Sequence, residues 1–206
     1  FCALTSSGLQ ANILSILTVV EAGGTVLAAD NIYGPVRSFL LNTAPRFGIK
    51  TQFVAPDIAS EIGDHMNSDV QAILLESPAS LTMELQDLEA IARVAQDKGV
   101  TSIIDDTWSA GLTMKPLQIG IDLAAQALTK YVAGHSDVML GAVVARTPEL
   151  GQRLQNTERG MGFYAAPDDA YLALRGLRTL ELRMQRSALT SLSIADWLSE
   201  RTEVGN

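Results

Sequence analysis

The sequence predicts an α/β fold, a mostly parallel central sheet flanked by helices on both faces. Three observations predict it. Short apolar runs alternate with longer amphipathic ones in a βαβα order. Several short runs are apolar on both faces, as strands covered above and below must be. The longer runs repeat their apolar residues at helical spacing. Crossovers between parallel strands of such a sheet are right-handed.

Along the chain, Ile13, Leu14, Leu17 and Val20 give a first helix its apolar stripe, which ends at Gly23-Gly24. A strand over 25–29 follows, then a helix after Pro35 that stops near Gly48, then strands over 51–54 and 70–75. The helix over 87–98 places Leu88, Ile91, Ala92 and Ala95 on one face and is stopped by Gly99. Strands over 100–104, 124–128 and 138–145 complete the sheet. After Pro148 the chain turns helical, and one long helix is expected from about Pro167 toward Leu198, with Gly176 inside it. No repeat, low-complexity tract or linker interrupts residues 1–206, which are expected to form one domain.

Composition removes several function classes. Fifteen Lys+Arg against 23 Asp+Glu give a net charge of −8, and there is no basic cluster, so neither a nucleic acid nor an anionic membrane surface is an expected partner. A hydrophobic content of 47% is too high for a disordered chain. The best apolar run, Ile13 to Val20, is far short of the roughly 18 residues of a membrane helix and is interrupted by Ser15 and Thr18. One cysteine, Cys2, excludes an internal disulfide, and with only His65 and His135 beside it no metal site is expected. These features point to a reduced, cytoplasmic protein. Because the chain opens on Phe1 and stops soon after a helix, a piece of a longer enzyme is expected.

In an open parallel sheet, ligands sit outside the carboxyl ends of the strands. The residues expected there are Asp30 to Tyr33, Glu76 to Pro78, Asp105 to Trp108 and Thr129 to Tyr131, an unusually polar and aromatic set. Lys130 follows an apolar strand, so its amine is expected to be partly desolvated and able to attack a carbonyl; a lysine merely snorkelling from a strand end has the same pattern. Asp105 can hold a heteroaromatic nitrogen protonated, as pyridoxal phosphate requires, or can serve as a simple cap, as can Asp106. Ser6-Ser7-Gly8-Leu9 leads into the first helix, where small residues and free amides suit a phosphate as well as an ordinary serine cap. Tyr33 can stack on a planar ring or pack in a loop.

Taken together, these residues resemble a known family. The stretch from Asp122 to Ser136, DLAAQALTKYVAGHS, is similar to the lysine signature of the Cys/Met-metabolism enzymes that use pyridoxal phosphate, a group with the aspartate-aminotransferase-like fold. Supporting matches, in the family's order and over nearly the whole chain, are Asn31-Ile32-Tyr33, Glu76-Ser77-Pro78, Ile104 to Trp108 and Arg175 to Leu180. The segment Glu76 to Glu84 and Asp105 to Gly111 resemble the branch that eliminates at Cβ, since γ-acting relatives usually carry asparagine followed by proline where Ser80 stands.

The resemblance implies that Lys130 bonds to the cofactor aldehyde and moves protons, with Tyr33 as its catalytic companion stacked on the ring. It implies that Asp105 pairs with the pyridinium nitrogen and that the Gly8 and Leu9 amides, with Thr129, hold the phosphate. It implies β-elimination of a small sulfur amino acid, cystathionine, to homocysteine, pyruvate and ammonia, within a homo-oligomer built as a dimer of dimers; the alternatives are a γ-acting member of the family and an inactive fragment that keeps only the cofactor-domain fold. An amino-terminal arm and a small carboxyl-terminal domain, which in the family supply further site residues, are expected to lie outside residues 1–206. Ala127 departs from the serine common three residues before the lysine, removing a hydroxyl, and Asp106 stands where asparagine is usual. His135 is expected to hydrogen-bond structurally, Cys2 to be a small buried group, His65 to be at the surface, and Arg175, Arg178, Arg183 and Arg186 to form salt bridges or a subunit contact. No G-x-G-x-x-G follows the first predicted strand, which speaks against a nicotinamide domain.

Overall fold

A computed structural model describes residues 1–204. Thr25–Ala29 (β2) is buried at every position and lies between two parallel neighbours, Lys50–Val54 (β3) and Val70–Glu76 (β4). A strand wetted on one face would alternate with polar residues; TVLAA does not, so both its faces need cover. Thr101–Asp105 (β5) and Leu123–Ala127 (β6) continue the parallel set. Gly141–Ala145 (β7) runs antiparallel to β6, and Cys2–Thr5 (β1) pairs antiparallel with β7 at the far edge, in the order β1-β7-β6-β5-β4-β2-β3.

The two covering layers have separate cores. Gly8–Val19 (α1), Gly34–Asn42 (α2) and Pro148–Met161 (α4) bring Leu14, Ile16, Leu40 and Leu154 against Val26, Leu74 and Ile103. On the opposite face Leu88–Lys98 (α3) brings Ile91, Ala92 and Ala95 against Leu27, Ile73 and Ile104. Adjacent Ile103 and Ile104 thus point into different cores, each contributing roughly 2 kcal/mol of hydrophobic burial. Asp87 caps α3 by accepting the Ala90 N–H, and Gly99 closes it at φ +69° in the left-handed region.

Three expectations change. The edge strand β1 is added; its Ala3 and Thr5 are buried while Cys2 faces outward and is exposed, because an edge strand is covered on one side only. In α1, Ile13 and Leu17 are only half-buried, whereas Asn12, Ser15 and Thr18 are buried; the two hydroxyls donate to the Ala11 and Leu14 carbonyls of their own helix, which makes their burial affordable. The single long helix is two, Pro167–Leu177 (α5) and Leu180–Ser199 (α6). The Gly176 carbonyl ends α5 by accepting from the Thr179 N–H, the Thr179 hydroxyl and Arg183 Nη2 rather than from the next helical turn. Beyond Met184, α6 is exposed on all sides. No helix among the described residues is long and apolar enough to cross a membrane.

Candidate active site

The crossover carrying α2 covers one face of the sheet and that carrying α3 covers the other, so the winding reverses between β2 and β4. A crevice opens at the carboxyl ends of strands where winding reverses. Here it is a cavity of about 1090 Å³, and Gly8, Leu9, Tyr33, Asp105, Thr129 and Lys130 all line it. Residues far apart in sequence, reached from α1, α2, β5 and the turn after β6, meet around one space.

Asp105 ends β5 and is 8% exposed. Its Oδ2 accepts from Asn12 Nδ2 at 2.7 Å, and its Oδ1 accepts from the Thr107 N–H at 3.1 Å and hydroxyl at 2.5 Å. Thr107 Oγ1 accepts in turn from the Ala127 N–H at 2.8 Å, which ties the carboxylate to the end of the lysine strand. Burial pushes the Asp105 carboxyl up; the Thr107 and Asn12 hydrogen bonds, and the charge of Lys130, pull against it without cancelling it. Asn12 also donates to the Gly8 carbonyl, and its own Oδ1 is buried without a partner among the described residues. Asp106 does not line the cavity. It accepts from Ser109, from the Gly111 N–H at 3.0 Å and from Gln126 at 2.9 Å, and so builds the following turn.

Lys130 stands three residues past β6 in a turn closed by its N–H to the Ala127 carbonyl (3.2 Å) and by the Gly134 N–H to its own carbonyl (2.8 Å). The turn lifts the side chain off the strand end into the open cavity, so Lys130 is exposed there rather than partly desolvated. It enters none of the ion pairs of the described residues. Arg183 reaches from α6 to brace this turn, donating to the carbonyls of Tyr131 and Val132, and His135 Nδ1 lies 2.6 Å from the Ala133 carbonyl. Arg175 pairs with Asp137, while Arg186 lines the cavity.

The first turn of α1 faces the same space. Ser7 accepts the Gln10 N–H, leaving the Gly8 and Leu9 amides without an acceptor among the described residues. A Cβ on Gly8 would lie 2.5 Å from Ala127 Cβ, so only glycine lets this turn press against the end of β6. Thr129 lines the cavity too, but its hydroxyl donates to the Leu140 carbonyl and accepts the Leu140 N–H. Tyr33, 40% exposed, precedes α2 and donates its N–H to Glu76 Oε2 at 2.6 Å. Trp108 stands across the cavity wall with its ring 6.5 Å from that of Tyr131.

These donors suit one chemical class of ligand. Two free amides at a helix N-terminus suit a phosphate, a buried carboxylate suits a protonated ring nitrogen, an open tyrosine ring suits a planar face, and a free amine suits an aldehyde. Asn12 escapes a reading of the sequence, and Thr107 and Glu76, though expected at this edge, are not read there as partners of Asp105 and Tyr33. Asn12 is signalled only by an asparagine on an otherwise small and apolar helix face, Thr107 by its place two residues after Asp105, and Glu76 by a carboxylate ending an apolar strand. Their partners depend on strand register, which sequence spacing does not carry.

Comparison with known proteins gives a consistent result. The family model for Cys/Met metabolism PLP-dependent enzymes matches residues 1–206. The chain is 38% identical over 198 residues to an L-alanine/L-glutamate racemase of Wolbachia pipientis wMel, covering 96% of this chain and 48% of that protein. It is 37% identical over 203 residues to the cystathionine beta-lyase of Bordetella avium, covering 98% and 51%. Among solved structures, cystathionine gamma-lyase from Lactobacillus plantarum complexed with L-serine superposes with a TM-score of 0.95 at 29% identity, over 100% of this chain and 54% of the other. The chain spans about half the length of the curated relatives it matches.

Proposed function

The chain belongs to the Cys/Met metabolism PLP-dependent enzyme family, and from that premise we propose that residues 1–206 are the cofactor-binding domain of a cystathionine β-lyase, a carbon–sulfur lyase acting by β-elimination. The observation that carries this reading is the meeting of Lys130, Asp105, Tyr33 and the α1 N-terminus around one cavity. The β-lyase relative and the Ser80-containing segment support the choice of reaction.

When bound, pyridoxal phosphate supplies an aldehyde that condenses with amines and a ring that spreads negative charge from a substrate carbon. The Gly8 and Leu9 amides at the positive end of α1 hold the phosphate, with Thr129 beside them. Asp105, kept in place by Asn12 and Thr107, holds the proton on the ring nitrogen. Tyr33, open on the cavity wall, would offer its ring as a planar face to the cofactor. Lys130 Nζ would be the amine that bonds the aldehyde and the base that moves the proton at the substrate Cα. The net reaction in this reading would be cystathionine plus water giving homocysteine, pyruvate and ammonia. In this reading the enzyme works in the cytoplasm as a homo-oligomer of the family's dimer-of-dimers kind.

A γ-acting reaction is the second reading, favoured by the γ-lyase among the structural neighbours. Product analysis on the full-length enzyme separates the two: pyruvate from cystathionine supports β-elimination, and 2-oxobutanoate supports γ-elimination. Lys130→Ala is expected to abolish turnover, and near-normal turnover would end the assignment.

A further inference from the structure

Glu76 is the buried carboxyl of the cavity wall that the mechanism leaves without a task. It ends β4 in register with Asp105 of β5, is 3% exposed, and lines the same cavity. Its two oxygens reach different segments. Oε2 accepts the Tyr33 N–H at 2.6 Å and Oε1 accepts the Ser80 hydroxyl at 2.5 Å. The Tyr33 N–H has no helical partner, because Tyr33 is the residue before α2, and no side-chain cap serves this helix end. Setting a carboxylate beside an existing carboxylate in a buried site is costly, so the arrangement needs a compensating use. The two hydrogen bonds provide one: they fix the backbone from which the Tyr33 ring extends and bind it to the 77–84 loop.

We propose that Glu76 is a positioning residue that clamps Tyr33 to the Ser80 loop and thereby holds the tyrosine ring in the cavity wall. The inference rests on the reading that this wall faces a cofactor ring, and it deepens it by making the face of Tyr33 dependent on a residue that need not touch the cofactor. Burial pushes the Glu76 carboxyl up to about 7, with Asp105 adding to the shift, so the clamp changes charge near neutrality. Asp105, Tyr33, Lys130, Arg183 and Arg186 line the same cavity, whereas Glu84 of the loop turns to Asn31 Nδ2 at 3.1 Å.

The test follows the Tyr33 amide by NMR in the full chain without cofactor, in the wild type, Glu76→Met and Glu76→Gln. Methionine fills the space but accepts no strong hydrogen bond, and glutamine keeps an acceptor. Amide exchange at Tyr33 is expected to accelerate by about tenfold or more in Glu76→Met and to return toward the wild-type rate in Glu76→Gln. In the wild type, the Tyr33 amide resonance is expected to titrate with Glu76, and in Glu76→Gln to stay flat; this comparison stands even where Glu76→Met does not fold. Unchanged exchange in Glu76→Met, or a wild-type resonance that ignores pH between 5 and 9, overturns the proposal. Pyridoxal phosphate is then titrated into the same proteins. About tenfold weaker binding in Glu76→Met, with no further loss on adding Tyr33→Ala, is expected. Binding equal to wild type in a Glu76→Met chain with a loosened Tyr33 amide would overturn the link to the ring, and wild-type protein that binds no pyridoxal phosphate would instead remove the functional reading while the exchange result still decides the clamp.

Discussion

Asp105 and Glu76 show how opposed effects set a carboxyl in this site. Desolvation raises both, while hydrogen bonds to Thr107 and Asn12, or to Ser80 and Tyr33, lower them again, and desolvation wins in each. The sign of the pH dependence follows. Between the ordinary value of 4.5 and about 7, folded Glu76 keeps a proton that the unfolded chain releases, so stability is fullest below that window and falls as pH rises through it. The loss attributable to this group is at most roughly 3 kcal/mol. Glu76→Gln removes the titration, so its urea midpoint relative to wild type is expected to improve on going from pH 5 to pH 8; a constant difference would show that Glu76 does not carry this shift. Asn12→Ala is expected to cost about 1–3 kcal/mol, since it strips a donor from a buried carboxyl, read as a lower urea midpoint with an unchanged slope.

Helix ends do the work of bringing these groups together, and they do it through close backbone contact. α1 approaches β6 only because Gly8 has no side chain, and α5 approaches the turn carrying Lys130 only because a Cβ on Gly176 would lie 2.1 Å from the Ala133 carbonyl. Gly8→Ala is expected to push the first turn of α1 off Ala127, costing about 1–3 kcal/mol of stability. It is also expected to narrow the preference for pyridoxal phosphate over pyridoxal, because the displaced amides are those that would meet the phosphate; equal discrimination in the variant would exclude that role. The sequence shows why some elements are legible and others are not. β2 and α3 announce themselves because composition alone determines their burial: TVLAA is apolar on both faces, and Asp87 and Gly99 mark the ends of a regular stripe. β1 is four residues at an edge, too short and too mixed to carry a period. The break between α5 and α6 rests on Arg183 meeting the Gly176 carbonyl and the 131–132 backbone at once, a coincidence of tertiary structure that helical periodicity does not encode.

Across the whole chain, the parallel sheet converts sequence order into proximity. The ends of β4 and β5 and the turns after β2 and β6 deliver polar residues to the same edge, and the reversal of winding between β2 and β4 opens the space that they line. For that reason Lys130, Asp105 and Tyr33 could be singled out from their places after apolar runs, whereas Asn12 and the Glu76 clamp required the register that sets β4 beside β5 and the packing of α1 across it. The exposed amine of Lys130 is the most accessible consequence of this geometry. The chain has three other lysines, Lys50, Lys98 and Lys115, none of which lines the cavity. Adding pyridoxal phosphate, fixing the bound group with borohydride and mapping the labelled peptide therefore asks the question directly. A single label on Lys130, weakened in Asp105→Asn, is the expected result; a label spread over the other three lysines with Lys130 unmodified would contradict the placement of the cofactor in this cavity.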